Sequence, residues 1–160
     1  MMFRLLNTFD LVVPKSYNHA TQLDSFRREH PENLSYYDRL ITDENFGRAT
    51  TKLAPGQRFE VEIFQIMEIV TSNDCMRFLR AKKAILTGAQ GASLVWQEKK
   101  EELPLDKWHA SFDEKEALLV TNGSHRLPFI RHYSDGSREF VLGCFERDWG
   151  GSSCLLCFHN

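Results

Sequence analysis

The chain has 160 residues, 42% of them hydrophobic, and a formal net charge of −2 from 20 Lys and Arg against 22 Asp and Glu. That length implies one domain with a core needing no metal or disulfide staples. The interleaved charges exclude the basic tail or arginine-rich segment of a non-specific nucleic-acid binder, and no run reaches the roughly 18 apolar residues of a membrane span.

At the start, Met1 to Leu6 is only briefly apolar and is broken by Asp10 and Lys15. No signal peptide is read there, and a cytoplasmic location is expected. Phe9 to Val13 is a short strand ended by Pro14. Thr21 to Glu29 is a helix with Leu23 and Phe26 on one face and Asp24 in its first turn, closed by His30-Pro31-Glu32-Asn33. Leu34, Tyr37 and Ile41 fall three and four apart and predict a second short helix over 34–41. Asp43 caps a further turn, with Phe46 facing in and Gly47 near its end.

Pro55-Gly56 turns the chain into a strand over 58–69. Phe59, Val61 and Ile63 share one face there, and Glu60 and Glu62 share the other. From Phe64 onward both faces are apolar, which predicts cover on both sides, and Met67 to Val70 is read as a bend. Thr71-Ser72-Asn73-Asp74 is a helix start, with the stripe Cys75, Met76, Phe78 and Leu79 behind it and Arg80, Lys82 and Lys83 at its end. Ile85-Leu86 is a brief strand or docking segment. Gly88-Ala89-Gln90-Gly91 is a tight connection without the spacing of a nucleotide fingerprint. Residues 92–102 then form a helix, with a strand at 93–97 as the alternative.

Trp108, Ala110 and Phe112 alternate with His109 and Ser111 as a strand. Its polar face carries His109 and Ser111. Ala117 to Thr121 is another strand, reaching the hairpin signal Asn122-Gly123. Leu127 to Ser134 and Arg138 to Phe145 flank Asp135-Gly136-Ser137. Cys154 to Phe158 follows a Gly-rich turn, giving the outline of a meander. Pro128 marks 127–134 as an edge or bulged strand that leaves room for docking or dimerisation. The expected fold is therefore α+β: a mostly antiparallel sheet with short N-terminal helices and one or two helices packed against it.

Five constellations are candidates for function. Cys154 and Cys157 have the two-residue gap of a zinc knuckle, with Cys144, His159 and one of His109, His125 or His132 as further ligands. In a strand, however, residues three apart point to opposite faces, so the pair does not converge on one ion without a bulge. A redox reading of the same pair lacks the helix start that stabilises a thiolate. Gly88 to Gly91 before a helix is a weak anion-binding turn. Cys144 with His132, or Ser111 with His109 and Asp113, are the sets a small hydrolase would use. Cys144 runs in phase with Phe140 and Leu142, though, so it is expected in the core. The fifth set is aromatic and cationic: Trp96, Trp108, Tyr133, Phe145 and Trp149 with Arg126, Arg131, Arg138 and Arg147. Exposed rings beside arginines are typical interface anchors.

The segments Gly-Ala-Gln-Gly-Ala-Ser-Leu-Val-Trp from Gly88, Ser-Phe-Asp-Glu-Lys-Glu-Ala from Ser111 and Cys-Leu-Leu-Cys-Phe from Cys154 resemble small bacterial proteins of uncharacterised function, over about half the chain. The resemblance implies a bacterial, cytoplasmic origin and no particular activity, cofactor or partner. The residues themselves favour a non-enzymatic binding or interaction domain that uses an aromatic and charged sheet face. Its expected partner is a protein or a second copy of the chain, not nucleic acid or membrane, and no cofactor is expected. A small hydrolase is the alternative, and a zinc protein using the C-terminal cysteines a more distant one.

Overall fold

The computed structural model describes residues 1–30 and 34–160. In chain order the elements are β1 (Phe3–Val12), α1 (Gln22–Glu29), β2 (Tyr36–Tyr37), β3 (Arg58–Ile66), β4 (Val70–Thr71), α2 (Ser72–Ala81), α3 (Gly88–Lys99), β5 (Lys107–Ala110), β6 (Arg126–His132), β7 (Arg138–Cys144), β8 (Asp148–Trp149) and β9 (Ser153–His159). Seven strands form one sheet in the order β1-β3-β9-β5-β6-β7-β2, and β4 and β8 form a separate two-stranded ribbon. Neighbours in the main sheet are antiparallel except β5 with β9 and β2 with β7. The α+β expectation holds in this broad form.

Burial along β3 follows its sequence. Phe59, Val61 and Ile63 are buried and Glu60 is exposed, while Phe64 and Ile66 on the other face are buried further along. Helices explain the change. On one face, Phe26 of α1 meets Phe140 edge-on at 5.9 Å, and a Cβ at Gly91 of α3 would lie 3.1 Å from Phe158. On the other, Phe78 of α2 meets Phe64 at 4.9 Å. β9 lies between these layers, so Ser153 to Phe158 are all buried.

The helix at Thr71 forms for the reason its sequence indicates. Asp74 N donates to Thr71 Oγ1 at 3.1 Å, and Thr71 N donates to Asp74 Oδ2 at 3.0 Å, a reciprocal capping box. α1 is capped differently. Thr21 makes no side-chain cap, and Asp43 accepts from Leu23 N at 2.8 Å and Asp24 N at 3.2 Å instead. At the far end of α1, His30 N donates to Phe26 O at 3.0 Å; the expected closure over Pro31 to Asn33 lies outside the described residues.

Several expectations are overturned. Residues 34–41 hold strand β2 and a turn, not a helix: Ser35 N and Asp38 N donate to the carbonyls of Arg138 and Phe140, so pairing with β7 outcompetes the helical spacing. Gly88 to Gly91 is the first turn of α3, with Gly88 N donating to Phe112 O at 3.2 Å. Ala117 to Thr121 is not a strand; a 3-10 turn over Lys115–Leu118 leads to a single bridge between Leu119 and His125.

Pro128 does not mark an edge, because β6 lies between β5 and β7. Its carbonyl accepts from Ser111 N at 3.1 Å, so its nitrogen also points toward the β5 side, beyond the last ladder residue Ala110. The one bond that Pro128 cannot return to Ser111 falls where the β5–β6 ladder ends, which is why proline is tolerated. The meander also breaks at its third strand, since β9 pairs with β3 and β5 instead of β7.

Candidate interaction face

The face of the sheet away from α1 and α3 carries an ordered row of side chains. Trp108 of β5 lies opposite Arg131 of β6, and Arg131 lies opposite Glu139 of β7. Directly opposed residues in antiparallel strands share a face, which brings the three side chains together. Arg131 stacks on Trp108 with its guanidinium carbon 4.4 Å from the ring centre. Its Nη1 donates to Tyr133 Oη at 3.3 Å and to Glu139 Oε1 at 3.4 Å. Tyr133 Oη donates to the same Glu139 oxygen at 3.0 Å. Arg131 Nε is buried and has no acceptor among the described residues.

The row beneath is Ala110, Phe129 and Val141. Trp108 stacks on Phe129 with 5.4 Å between centres and 12° between planes, and Trp149 of β8 meets Phe129 edge-on at 5.9 Å. Arg147, between β7 and β8, sits 4.7 Å from the Trp149 ring and 5.0 Å from the Trp108 ring. The order Trp149, Arg147, Trp108, Arg131 alternates ring and cation. Each contact gains from the negative face of the indole. Gly143 gives this stack its room: a Cβ there would lie 2.8 Å from Phe129 and 3.6 Å from Arg147.

Trp108, Arg131, Tyr133, Glu139 and Arg147 are half-buried, so their outer edges face water. Glu139 neutralises Arg131, whereas Arg147 has no ion-pair partner among the described residues. Among the described residues the face therefore presents rings around the unpaired charge of Arg147.

The expected interaction residues divide. Trp108 and Tyr133 lie on this face. Trp96 and Trp149 are each only 1% exposed and are core side chains. Trp149 donates from Nε1 to Ser72 Oγ at 2.8 Å, tying the ribbon to the start of α2, and Phe145 is buried against Phe112. Trp96 lies on α3, with Arg138 5.1 Å over its ring on the opposite side of the sheet. Two contributors were missed in the sequence, Glu139 and Gly143. The signal was available for Gly143, a glycine directly after Phe140-Val141-Leu142 in an otherwise side-chain-rich strand.

The nucleophile sets do not assemble. His109 and Ser111, read as the polar face of their strand, are buried. His109 Nε2 bonds Pro104 O at 2.9 Å, and burial lowers its pKa to about 4. Ser111 Oγ pairs with Thr87 Oγ1 at 3.2 Å, and Asp113 accepts from Thr50 N at 3.0 Å and Glu114 N at 2.7 Å. Each group is thus bonded elsewhere and not to the other two. The Asp113 carboxylate lies beside Gly88, so an internal acid stands at the start of α3 where an anion was considered. Cys144 is exposed, not core, because β7 runs past the helices that cover Phe140. It pairs with Arg126 while His132 pairs with Arg138, six positions along the strand and so about 20 Å away.

The C-terminal cysteines obey strand alternation. Cys154 lies opposite Gln65 and Cys157 opposite Glu62, on different faces of β9. Cys157 Sγ lies 3.4 Å from His159 Nε2, which is 2.7 Å from Glu62 Oε1. Burial raises the pKa values of both Cys154 and Cys157 to about 12, so both are protonated thiols. Among the described residues no group of three or more His, Cys, Asp or Glu side chains is arranged to hold a metal, and no helix is long and apolar enough to cross a membrane. No family model, curated protein or solved structure matches the chain.

Proposed function

We propose that this protein is a non-enzymatic binding protein whose working surface is the outer face of β5, β6 and β7 around Trp108. The observation that carries this reading is Trp108 held between the guanidinium groups of Arg131 and Arg147 with its edge open to solvent. Tryptophan, tyrosine and arginine are the side chains most often dominant in interfaces, and here packing fixes all three before a partner arrives. The free charge of Arg147 favours a protein partner that presents a carboxylate beside an apolar group. A second copy of the chain is the other occupant. The reducing cytoplasm suits four free thiols, three of them buried.

The test is affinity capture from an extract of the source cells with the wild type and with Trp108→Ala and Arg147→Glu, both checked for native thermal melts. Each retained protein is then purified and titrated against all three baits by calorimetry. A partner that binds the wild type and is weakened at least tenfold by both substitutions supports the reading. Partners that bind all three equally overturn it. Sedimentation of the purified wild type identifies a homodimer directly.

A further inference from the structure

A second surface lies on the far edge of the sheet, where β2 stops short. Ser35 N donates to Arg138 O at 2.7 Å and Asp38 N to Phe140 O at 2.9 Å. The even-numbered residues of β7 therefore point their backbone groups away from β6. Leu142 is the next in that series, and its cross-strand partner Pro128 turns its carbonyl to Ser111. The N–H and C=O of Leu142 thus face outward like those of Arg138 and Phe140.

β2 does not continue to meet them. The Asp38 side chain accepts from Leu40 N at 2.9 Å, and Arg27 donates to the Asp38 carbonyl at 2.8 Å, which turns the chain off the sheet. What remains is a cleft of about 380 Å³ lined by Tyr36 to Leu40, Arg126 and Leu142. That volume lies within the range of ligand sites. Two guanidinium groups line it, Arg39 and Arg126, and neither is ion-paired among the described residues. Among the described residues Arg126 donates only to Ser124 Oγ, at 2.9 Å. The lining carboxylate, Asp38, is engaged by Leu40 N, and Tyr36 is 50% exposed.

We propose that this cleft docks an extended acidic peptide of a partner protein, which adds as a short strand to β7 at Leu142 and offers a carboxylate to Arg39 and Arg126. Main-chain pairing supplies the register, and the two arginines select for acid. Charge complementarity argues for this occupant. The site is separate from the Trp108 face, at the outer edge of β7 with Leu142 and Arg126 on the opposite side of the sheet, and goes beyond the function proposed above.

The probe is an acetylated six-residue peptide of alternating glutamate and valine, titrated into the 15N-labelled full chain. Three controls accompany it: the same peptide with lysine for glutamate, the glutamate peptide N-methylated at alternate residues, and free glutarate. The expected result is saturable shifts at the Leu142 amide with the glutamate peptide, at least tenfold weaker binding of the lysine and N-methylated peptides, and loss of binding in Arg39→Glu and Arg126→Glu. The N-methylated control works on the wild type, so the backbone claim stands apart from any folding defect. No shift at Leu142 overturns the proposal, as does equal binding of the lysine peptide. Glutarate binding as tightly as the peptide shows a small-acid site instead. Concentration-dependent shifts at Leu142 without any peptide show a second copy of the chain there. Either of these last two results also overturns it.

Discussion

The guanidinium of Arg147 lies 5.0 Å from the centre of the Trp108 ring and 4.7 Å from that of Trp149, joining a half-exposed indole to a buried one. Cation–π contacts at partly exposed sites contribute about 0.5–1 kcal/mol each. Arg147→Ala is therefore expected to lower the unfolding free energy by about 1–2 kcal/mol in urea melts. Arg147→Lys retains part of that. An alanine variant as stable as the wild type would show that the stack is incidental.

Gly143 holds the same stack from below. An added methyl would stand 2.8 Å from Phe129, which is itself stacked on Trp108. Overpacking of this kind costs about 1–3 kcal/mol. Gly143→Ala is expected to destabilise by that amount and to move the Trp108 side-chain signals in NMR spectra. Unchanged Trp108 resonances would count against a close-packed face.

Asp43 caps α1 from outside the helix, through Leu23 N and Asp24 N. Losing a capping side chain costs about 1 kcal/mol. Asp43→Ala should cost that much, while Thr21→Ala, at the formal cap position, should be close to neutral because Thr21 makes no cap bond. Chemical denaturation of the two variants separates them. The reverse order would show that the cap is local after all.

His109 makes stability depend on pH with a defined sign. Burial is the main cause of its lowered pKa of about 4, with His132 and Lys107 adding to it. The unfolded chain takes up this proton first, at about 6.5. The stabilising preference for neutral His109 is complete above that pH and is lost as pH falls through 6.5 toward 4. At pH 5 the loss is about 2 kcal/mol. His132 shifts the same way and buried Asp113 shifts upward, so the wild type alone does not isolate the effect. The informative quantity is the stability difference between wild type and His109→Gln. It is expected to narrow by about 2 kcal/mol between pH 7 and pH 5. A difference constant over that range would mean that His109 is not the group involved.

The features legible in the sequence were those settled within a few residues. The helix start at Thr71-Ser72-Asn73-Asp74 and the double-sided burial of β3 each follow from local pattern alone, whereas the turn at Asn122-Gly123 forms without the strand expected before it. Residues 34–41 were misread because Leu34, Tyr37 and Ile41 satisfy a helical period while the backbone finds better partners on β7. Within the candidate site, the sequence marked Trp108 and Tyr133 as rings beside arginines, and the structure leaves both half-buried on one face. Trp96 and Trp149 were not separable from them, since a tryptophan carries the same signature whether a helix or water covers it.

Local chemistry in the sequence therefore determined an α+β protein with a largely antiparallel sheet: alternation with period two, capping side chains and turn residues act over distances the chain spans by itself. Only the tertiary structure decided that β9 enters the middle of the sheet, that Pro128 is interior, that Cys144 is exposed and that Arg147 stands between two indoles. Those outcomes depend on which strands pair and which layers cover them. Many pairings satisfy the same alternation, and the choice among them is made by the packing of residues far apart in sequence.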